Sequence, residues 1–406
     1  MRRNLKKNLI LISIGLLLVS AGCESRRTYS LEEKVSQRIT NTPKIQEICP
    51  SISDDGKKLV FEVDEKGNRE IFMKNLETGK LINITNSPAQ DHQPSISADG
   101  KKVVFLSDRT GTEEIHLVNL ADIFYAKGTV ERSKGLTDKA ILDFEQAVDI
   151  DPLHIASLQE LGRLYDQKQD YDKAVKQFDA IANYYSNELT KFLSENDTSI
   201  AQVKQQLEML LKNNIISYNN LAFVYVHKGD RRAAADVRYS LGTHFEKIGL
   251  TRFAIDEFKK GLVDDPEPSF EIYSFLAKLY RNNNDHKNAA EMLEHALAID
   301  PNSASAHNDL GMAYMELASL EDSKKVELSY VKKTFSEKAK KEFEKAIELS
   351  PNFTNAHQNL AAYHYNRGEY EEALKQWETI YQINPEYPGL KQNLLLVQGQ
   401  FEEEEP

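Results

Sequence analysis

From residue 121 onward, apolar residues recur at helical spacing, and a small residue in one helix pattern is followed twelve positions later by an alanine in the next. Units starting at Ala121, Ile155, Ala235, Phe270, Ala304 and Thr354 share this pattern, the fifth with a 16-residue insertion between the two positions. The eighth position holds Gly128, Gly162, Gly242, Ala277, Gly311 and Ala361; the twentieth holds Ala140, Ala174, Ala254, Ala289, Ala339 and Ala373. Four residues later stands a large filler: Phe144, Phe178, Phe258, Leu293, Phe343 and Trp377. Small residues on facing helices let the backbones approach closely, and the filler then packs into the space that remains. The spacing therefore predicts paired antiparallel helices, each pair presenting an apolar wedge that only the next pair buries.

Prolines punctuate the pattern. Pro385 follows Pro351 by 34 residues, Pro301 follows Pro266 by 35, and Pro351 follows Pro301 by 50, one period plus the insertion. Together with Pro152 they stop one helix and restart the next. On these residues the segment resembles tetratricopeptide repeats, which implies a one-dimensional array of helical pairs. Units 1 and 2 cover 121–188, and further units cover 235–387 with the insertion at 319–335. Between them, 189–234 holds one poorly matching repeat, expected as two helices, Ser199–Asn213 and Ile215–His227, because an even number keeps inner and outer helices alternating. The insertion is expected to lengthen both helices of its unit into a projection. Residues 388–401, with Leu390, Leu394, Leu395 and Val397, form a capping helix, and 402–406 an acidic tail.

Residues 39–120 alternate apolar and polar positions and contain no helical period. Two copies lie 44 residues apart: Pro50-Ser51-Ile52-Ser53, Asp55-Gly56-Lys57-Lys58, Val60-Phe61, Gly67, Glu70-Ile71 and Asn75-Leu76 match Pro94-Ser95-Ile96-Ser97, Asp99-Gly100-Lys101-Lys102, Val104-Phe105, Gly111, Glu114-Ile115 and Asn119-Leu120. Each reads as strand, Asp-Gly hairpin, strand, Gly-containing turn, strand, with Leu81–Thr85 as a fourth strand of the first copy. This resembles the blades of TolB-like β-propellers. Two blades cannot close a ring. The second copy runs into helix after Leu120 and lacks a fourth strand, while Ile39-Thr40-Asn41-Thr42-Pro43 repeats Ile84-Thr85-Asn86-Ser87-Pro88 at all but one position. Two outcomes are open: that N-terminal strand completes the second blade, or the sheet edge stays free to pair with another chain. The expected fold class is α+β by segment, a small β module of two propeller-like blades followed by an all-α tetratricopeptide superhelix.

The first residues read as an address. Arg2, Arg3, Lys6 and Lys7 precede a largely apolar stretch from Leu9 to Val19, and Ser20-Ala21-Gly22 precedes Cys23. Eleven such residues are too few to cross a bilayer. The arrangement resembles the signal peptide and lipobox of bacterial lipoproteins, with Ser20 where that motif usually has leucine. The resemblance implies a signal peptide at 1–22, lipidation of Cys23, a tether at 23–38, and a site in the bacterial cell envelope, with the outer membrane facing the periplasm favoured because Glu24 replaces the aspartate of inner-membrane retention. Several acyl chains anchor stably where one is marginal. Cys49 is then the one remaining cysteine, so no intramolecular disulfide framework exists and packing alone stabilises the chain. Lys plus Arg number 51 against 63 Asp plus Glu; without the four basic residues of the leader the balance is 47 − 63 = −16. Such a charge repels phosphate backbones, which argues against nucleic acid as a partner.

No phosphate loop, nucleophile elbow, HExxH or paired-cysteine motif occurs. His92, His116, His307 and His357 read as packing or surface residues, the Met312/Met315 pair as groove lining or core, and no catalytic residue, metal or cofactor is expected. In tetratricopeptide families certain positions of the first helix face a concave groove; here they are Gln159, Arg163, Lys278, Arg281, Asn282, Asn308, Met312, Gln358, Tyr365 and Asn366. Arg163, Lys278 and Arg281 stand against the prevailing negative charge and suit a carboxylate, although the chaperone-type carboxylate clamp is not reproduced. The expected function is a lipid-anchored, non-enzymatic scaffold whose groove binds extended protein segments or envelope-complex subunits, in envelope assembly or secretion. The competing expectation is a ligand- or glycan-sensing envelope protein in which the blades bind and the helices transmit.

Overall fold

The computed structural model describes residues 39–40, 46–196, 201–320 and 326–403. The leader, Cys23, the tether and the last residues of the acidic tail lie outside them. Among the described residues seven strands precede fourteen helices, and the chain divides into two compact units after Leu164.

The first unit opens with two antiparallel sheets. β1 (Gln46–Ile52), β2 (Lys58–Glu65), β3 (Asn68–Asn75) and β4 (Leu81–Asn83) form one in sequence order; β5 (Asp91–Ile96), β6 (Lys102–Ser107) and β7 (Glu114–Asn119) form the other. The Asp-Gly turns form as the sequence predicts, with Gly56 and Gly100 at φ 71° and 66°. Ser53 Oγ donates to Asp55 at 2.5 Å, and Ser97 Oγ to Asp99 at 2.5 Å. Both sheets carry the same bulge in their first strand, where Cys49 and Gln93 adopt φ 51° and 53°. A positive φ disfavours both residue types, so the duplicated backbone, and not the local residue, dictates the shape.

Two helices follow, α1 (Leu120–Ser133) and α2 (Thr137–Ile150), and then α3 (Ile155–Gln167) begins. Val60, Ile71, Met73 and Ile84 of the first sheet pack with Ile96, Val103 and Phe105 of the second, and Leu120, Phe124, Ala147 and Ile150 of the helices complete the same core. Lys101 Nζ, on the second hairpin, pairs with Asp151 at the end of α2 at 2.9 Å. The β region and the first helical pair therefore share one hydrophobic core.

Ile39 and Thr40 belong to no strand. The Ile39 carbonyl accepts from Lys74 Nζ at 2.6 Å, and Thr40 Oγ1 donates to Glu47. Both residues thus sit with the first sheet and do not complete the second, whose described strands number three. Asn41–Pro43 lie outside the described residues. The side chain of Lys74 leaves β3 on the face opposite that of Met73, and it is the Met73 face that the second sheet covers.

The second unit contains α4 (Tyr171–Glu195), α5 (Ala201–Lys228), α6 (Arg231–Lys247), α7 (Thr251–Asp264), α8 (Phe270–Asn282), α9 (His286–Ile299), α10 (Ala304–Leu320), α11 (Val326–Leu349), α12 (Thr354–Tyr365), α13 (Tyr370–Ile383) and α14 (Leu390–Glu403). The pairs α6–α7, α8–α9, α10–α11 and α12–α13 are the predicted repeats. A methyl group placed on Gly242 would lie 2.5 Å from the Phe258 ring, and one on Gly311 2.5 Å from Phe343. Within the first unit Gly128 meets Phe144 in the same way at 2.6 Å. The eighth-position glycine thus faces its own repeat's filler ring. Around the insertion α10 and α11 run to 17 and 24 residues, against 13 and 14 for α8 and α9.

The irregular repeat differs from expectation. One 28-residue helix, α5, occupies the place of the two expected, so the helix number there is odd. No glycine or proline interrupts Ala201–Lys228. At the expected boundary Asn214 is fully buried and donates from Nδ2 to Ser186 Oγ of α4 at 3.1 Å, and Ser186 meets Tyr218 Oη at 3.2 Å. Asparagine ends helices when its side chain captures local backbone; here it is spent across a helix interface. Gly229, at φ 83°, ends the helix instead.

Two outcomes follow from this packing. A helix-interior Gly→Ala change ordinarily stabilises by about 1 kcal/mol, but Gly311→Ala drives a methyl into Phe343 and costs a net ~1–2 kcal/mol; the urea midpoint falls, and Phe343→Leu in the same chain recovers most of the loss. The second concerns His244, whose Nε2 is buried without a hydrogen-bond partner among the described residues and whose pKa burial lowers from 6.5. The unfolded chain then binds the proton more tightly than the folded one. Its contribution is complete above about pH 6.5 and is lost as the pH falls, so His244→Gln narrows the drop in melting temperature between pH 7.5 and 5.5.

Candidate protein-binding groove

The first helices of successive repeats in the second unit, α8, α10, α12 and α14, are joined by a ladder of side chains. Arg281 Nη1 on α8 pairs with Asp309 on α10 at 3.2 Å. Asn359 Nδ2 on α12 donates to Asn308 Oδ1 on α10 at 2.8 Å, and Asn393 Nδ2 on α14 donates to Gln358 Oε1 on α12 at 3.3 Å. Gln358 Oε1 also accepts from Trp377 Nε1 at 2.9 Å, which ties the ladder to the filler of the last repeat. These links set the first helices side by side, and the face they share is the candidate groove.

The predicted groove residues divide by what they do there. Asn308 is buried and, with Gln358, is consumed by the ladder, while Met312 takes weak contacts from Arg281 and from Asn308. Arg281 is half-buried, with Asp309 answering its charge. Tyr365 turns into the packing, its ring 5.8 Å from that of Trp377 and 5.5 Å from that of Tyr370. Lys278, Asn282 and Asn366 are exposed. Lys278 Nζ lies 5.7 Å above the Phe275 ring, with no carboxylate at ion-pair distance among the described residues. Gln159 and Arg163 stand on α3 in the first unit, where Arg163 pairs with Glu160 at 3.5 Å and Glu160 also binds Arg132.

Sequence reasoning missed a cavity of about 480 Å³ at the end of this face. Met315 of α10 and Tyr363 of α12 give it an apolar wall, while Lys332 and Lys333 of the lengthened α11 and Asn366 and Arg367 after α12 supply polar groups. Among the described residues no carboxylate lines it. Arg367 is braced over the Tyr363 ring at 5.3 Å and by Glu369 at 2.9 Å; Lys332 and Lys333 are exposed and have no ion-pair partner among the described residues. The signal was the insertion itself: two adjacent lysines where the repeat pattern has none.

The histidines are structural. His307 and His357 hold the prolines that open their repeats, His307 Nε2 meeting the Pro301 carbonyl at 3.0 Å and His357 Nε2 the Pro351 carbonyl at 2.9 Å. Their Nδ1 atoms meet Glu342 at 2.6 Å and Gln376 at 2.7 Å. His116 stacks on Phe105, and His92 pairs with Glu113. Among the described residues no three His, Cys, Asp or Glu side chains stand close enough to hold a metal ion.

Family models agree with this division. The TolB beta propeller domain model matches residues 28–143, and tetratricopeptide repeat models match 119–187, 270–303, 329–353 and 342–375. The peroxisomal targeting signal receptor of Eremothecium gossypii is 25% identical over 249 residues, 58% of this chain and 36% of its own length. The antiviral innate immune response effector IFIT1 of Homo sapiens is 26% identical over 139 residues, 32% of this chain and 29% of its own length. The chain thus spans about a third of the curated relatives it matches. Among solved structures, MamA aligns over 57% of this chain and 92% of its own, with 19% identity and a TM-score of 0.33. The chain carries tetratricopeptide repeats behind a TolB-type β-propeller region.

Proposed function

We propose that this protein is a non-enzymatic adaptor, anchored through lipid on Cys23 in a bacterial cell envelope, that holds partner proteins by extended, carboxylate-bearing segments during envelope assembly or secretion. The observation that carries this reading is the pairing pattern on the groove face. The ladder consumes Asn308 and Gln358 and matches Arg281 with Asp309, whereas Lys278, Lys332 and Lys333 have no ion-pair partner among the described residues, in a chain of net charge −12. Unpaired cations beside an apolar wall suit a peptide that brings both carboxylates and apolar side chains. Similarity to a receptor named for reading a targeting signal fits the same use of the repeats. The outer membrane, facing the periplasm, is the proposed site, on the reading of Cys23 and Glu24.

A second reading, in which the β region binds a small ligand, has one observation in its favour. A cleft of about 770 Å³ lies between the outer turn of the first sheet and the α1–α2 pair, with Lys58, Met73, Phe124 and Gln146 in its wall and Gln146 Oε1 buried without a hydrogen-bond partner among the described residues. Cutting the chain after Leu120 cannot separate the two readings, because Phe124 and Ile150 belong to the core of the β region.

Binding is measured by the fluorescence anisotropy of a fluorescein-labelled oligoglutamate peptide with the full chain. Lys332→Glu with Lys333→Glu weakens it at least about tenfold, or ~1.4 kcal/mol, and added salt weakens the parent in the same direction; unchanged affinity removes the cavity from the account. For the anchor, Cys23→Ser releases the chain from the membrane fraction of cells that express it, and equal retention of the two chains contradicts lipidation there.

A further inference from the structure

The first helical repeat departs from the others at its seventh position, directly before the small residue. The five other units hold leucine there, Leu161, Leu241, Leu276, Leu310 and Leu360, and each is at most 4% exposed. The first unit holds Lys127. An ammonium group at a site that otherwise buries leucine is costly unless it is paired or wetted. Lys127 Nζ donates to the Asn83 carbonyl at 3.5 Å and lies 5.6 Å from the centre of the Phe124 ring, with no carboxylate at ion-pair distance among the described residues.

What keeps this amine wet is a cavity. A space of about 420 Å³ lies between β4 and the α1–α2 pair, with Lys80, Ile82, Phe124, Lys127, Asp143 and Gln146 in its wall. It adjoins the cleft of about 770 Å³, since Lys80, Ile82, Phe124 and Gln146 line both. Each space falls within the usual size of small-ligand sites, about 300–1,000 Å³.

The same cavity holds an unanswered charge of the opposite sign. Asp143, on α2 directly before the filler Phe144, lines it without an ion pair or a side-chain hydrogen bond among the described residues. Burial holds the Lys127 amine below the usual lysine range and the Asp143 carboxyl above the usual carboxylate range. Each feels the other's charge, yet the two stand too far apart to pair. Lys80 adds an exposed amine that also lacks an ion-pair partner among the described residues. Elsewhere around the cleft the lysines are answered: Lys57 pairs with Glu77 at 2.9 Å, and Lys58 Nζ donates to the Gly100 carbonyl at 2.9 Å. One half-buried charge of each sign is thus left open beside an apolar wall of Ile82 and Phe124. Perturbed titratable groups converging on a cleft mark a ligand site.

We propose that this cavity binds a small zwitterion, a short peptide with both termini free, its carboxylate on Lys127 and Lys80, its ammonium on Asp143 and an apolar side chain against Ile82 and Phe124. This rests on the second reading above, that the β region binds a small ligand, and names the class of that ligand. A singly charged ligand leaves one of the two half-buried charges unanswered, and an uncharged one leaves both. An acidic segment of the kind that suits the groove brings no cation to Asp143. Because Lys127 and Asp143 are out of ion-pair reach of each other, they suit the separated termini of a dipeptide better than the adjacent charges of a single amino acid.

Isothermal titration calorimetry of the full chain with the dipeptide alanyl-leucine, its N-acetyl form and its C-terminal amide reads the two ends separately. The free dipeptide is expected to bind. Asp143→Asn weakens the free dipeptide and the amide at least tenfold and leaves the acetylated form, which has no ammonium, unchanged. Lys127→Leu weakens the free dipeptide and the acetylated form at least tenfold and leaves the amide unchanged. Leucine is the residue the other repeats bury at that position, so Lys127→Leu keeps the melting temperature and its loss of binding is loss of the contact. Three results overturn the proposal: no heat from any of the three peptides, equal binding of the free and both capped forms, or variants that weaken all three alike. Maltose bound in place of the dipeptide, and weakened by Lys127→Leu, overturns the zwitterion and leaves the second reading standing; no heat from maltose or the peptides takes away both.

Discussion

The helical repeats depend on one steric contact, a glycine or alanine in the first helix set against the large filler of the second. Gly242 against Phe258 and Gly311 against Phe343 leave no room for a methyl group. The filler rings are buried as a result, and Ala254, Ala339 and Ala373 on the same faces are fully inaccessible. Each helical pair is thereby fixed at close range before it meets its neighbours. The wedge it then presents is buried only by the next pair, so the array is held by nearest-neighbour contacts and needs an end piece. Helix α14, with Leu390 and Val397 buried against Trp377 and Ile380, supplies one.

Because packing is settled on the side of the filler rings, the opposite face of the first helices can carry polar residues. Part of that polarity is spent on registration: Asn308, Asn359, Gln358 and Asn393 tie one repeat to the next at the surface. What is left over is basic and lies near the insertion, in a chain whose net charge is negative. In the first unit a shared core replaces repetition. The two sheets and the first helical pair bury one set of side chains, so the β region is built into the start of the helices and not tethered to them.

The repeat units were legible because their signal is local and redundant: the same small residue, alanine, filler and proline recur at fixed spacing, and the structure puts them in contact as the spacing requires. The blades were legible for the same reason, down to the fourth strand after Leu81. What failed was the expectation that helices must come in even numbers. The boundary expected at Asn214 does not form: Asn214 is buried and bonds to Ser186, 28 residues away in sequence. Groove candidates were legible as positions but not as functions, since whether Arg281 is free depends on Asp309 one repeat later, and whether Tyr365 faces outward depends on Trp377. The basic cavity depends on a helix lengthened by an insertion that no repeat pattern describes.

Hydrogen exchange of the full chain, with and without a saturating oligoglutamate peptide, tests the central claim most directly. The account predicts slowed exchange at the ends of α10 and α12 and in the first described turns of α11, with the β strands unchanged. Protection confined to the first sheet and the α1–α2 pair, with α10 to α12 exchanging as before, would contradict it.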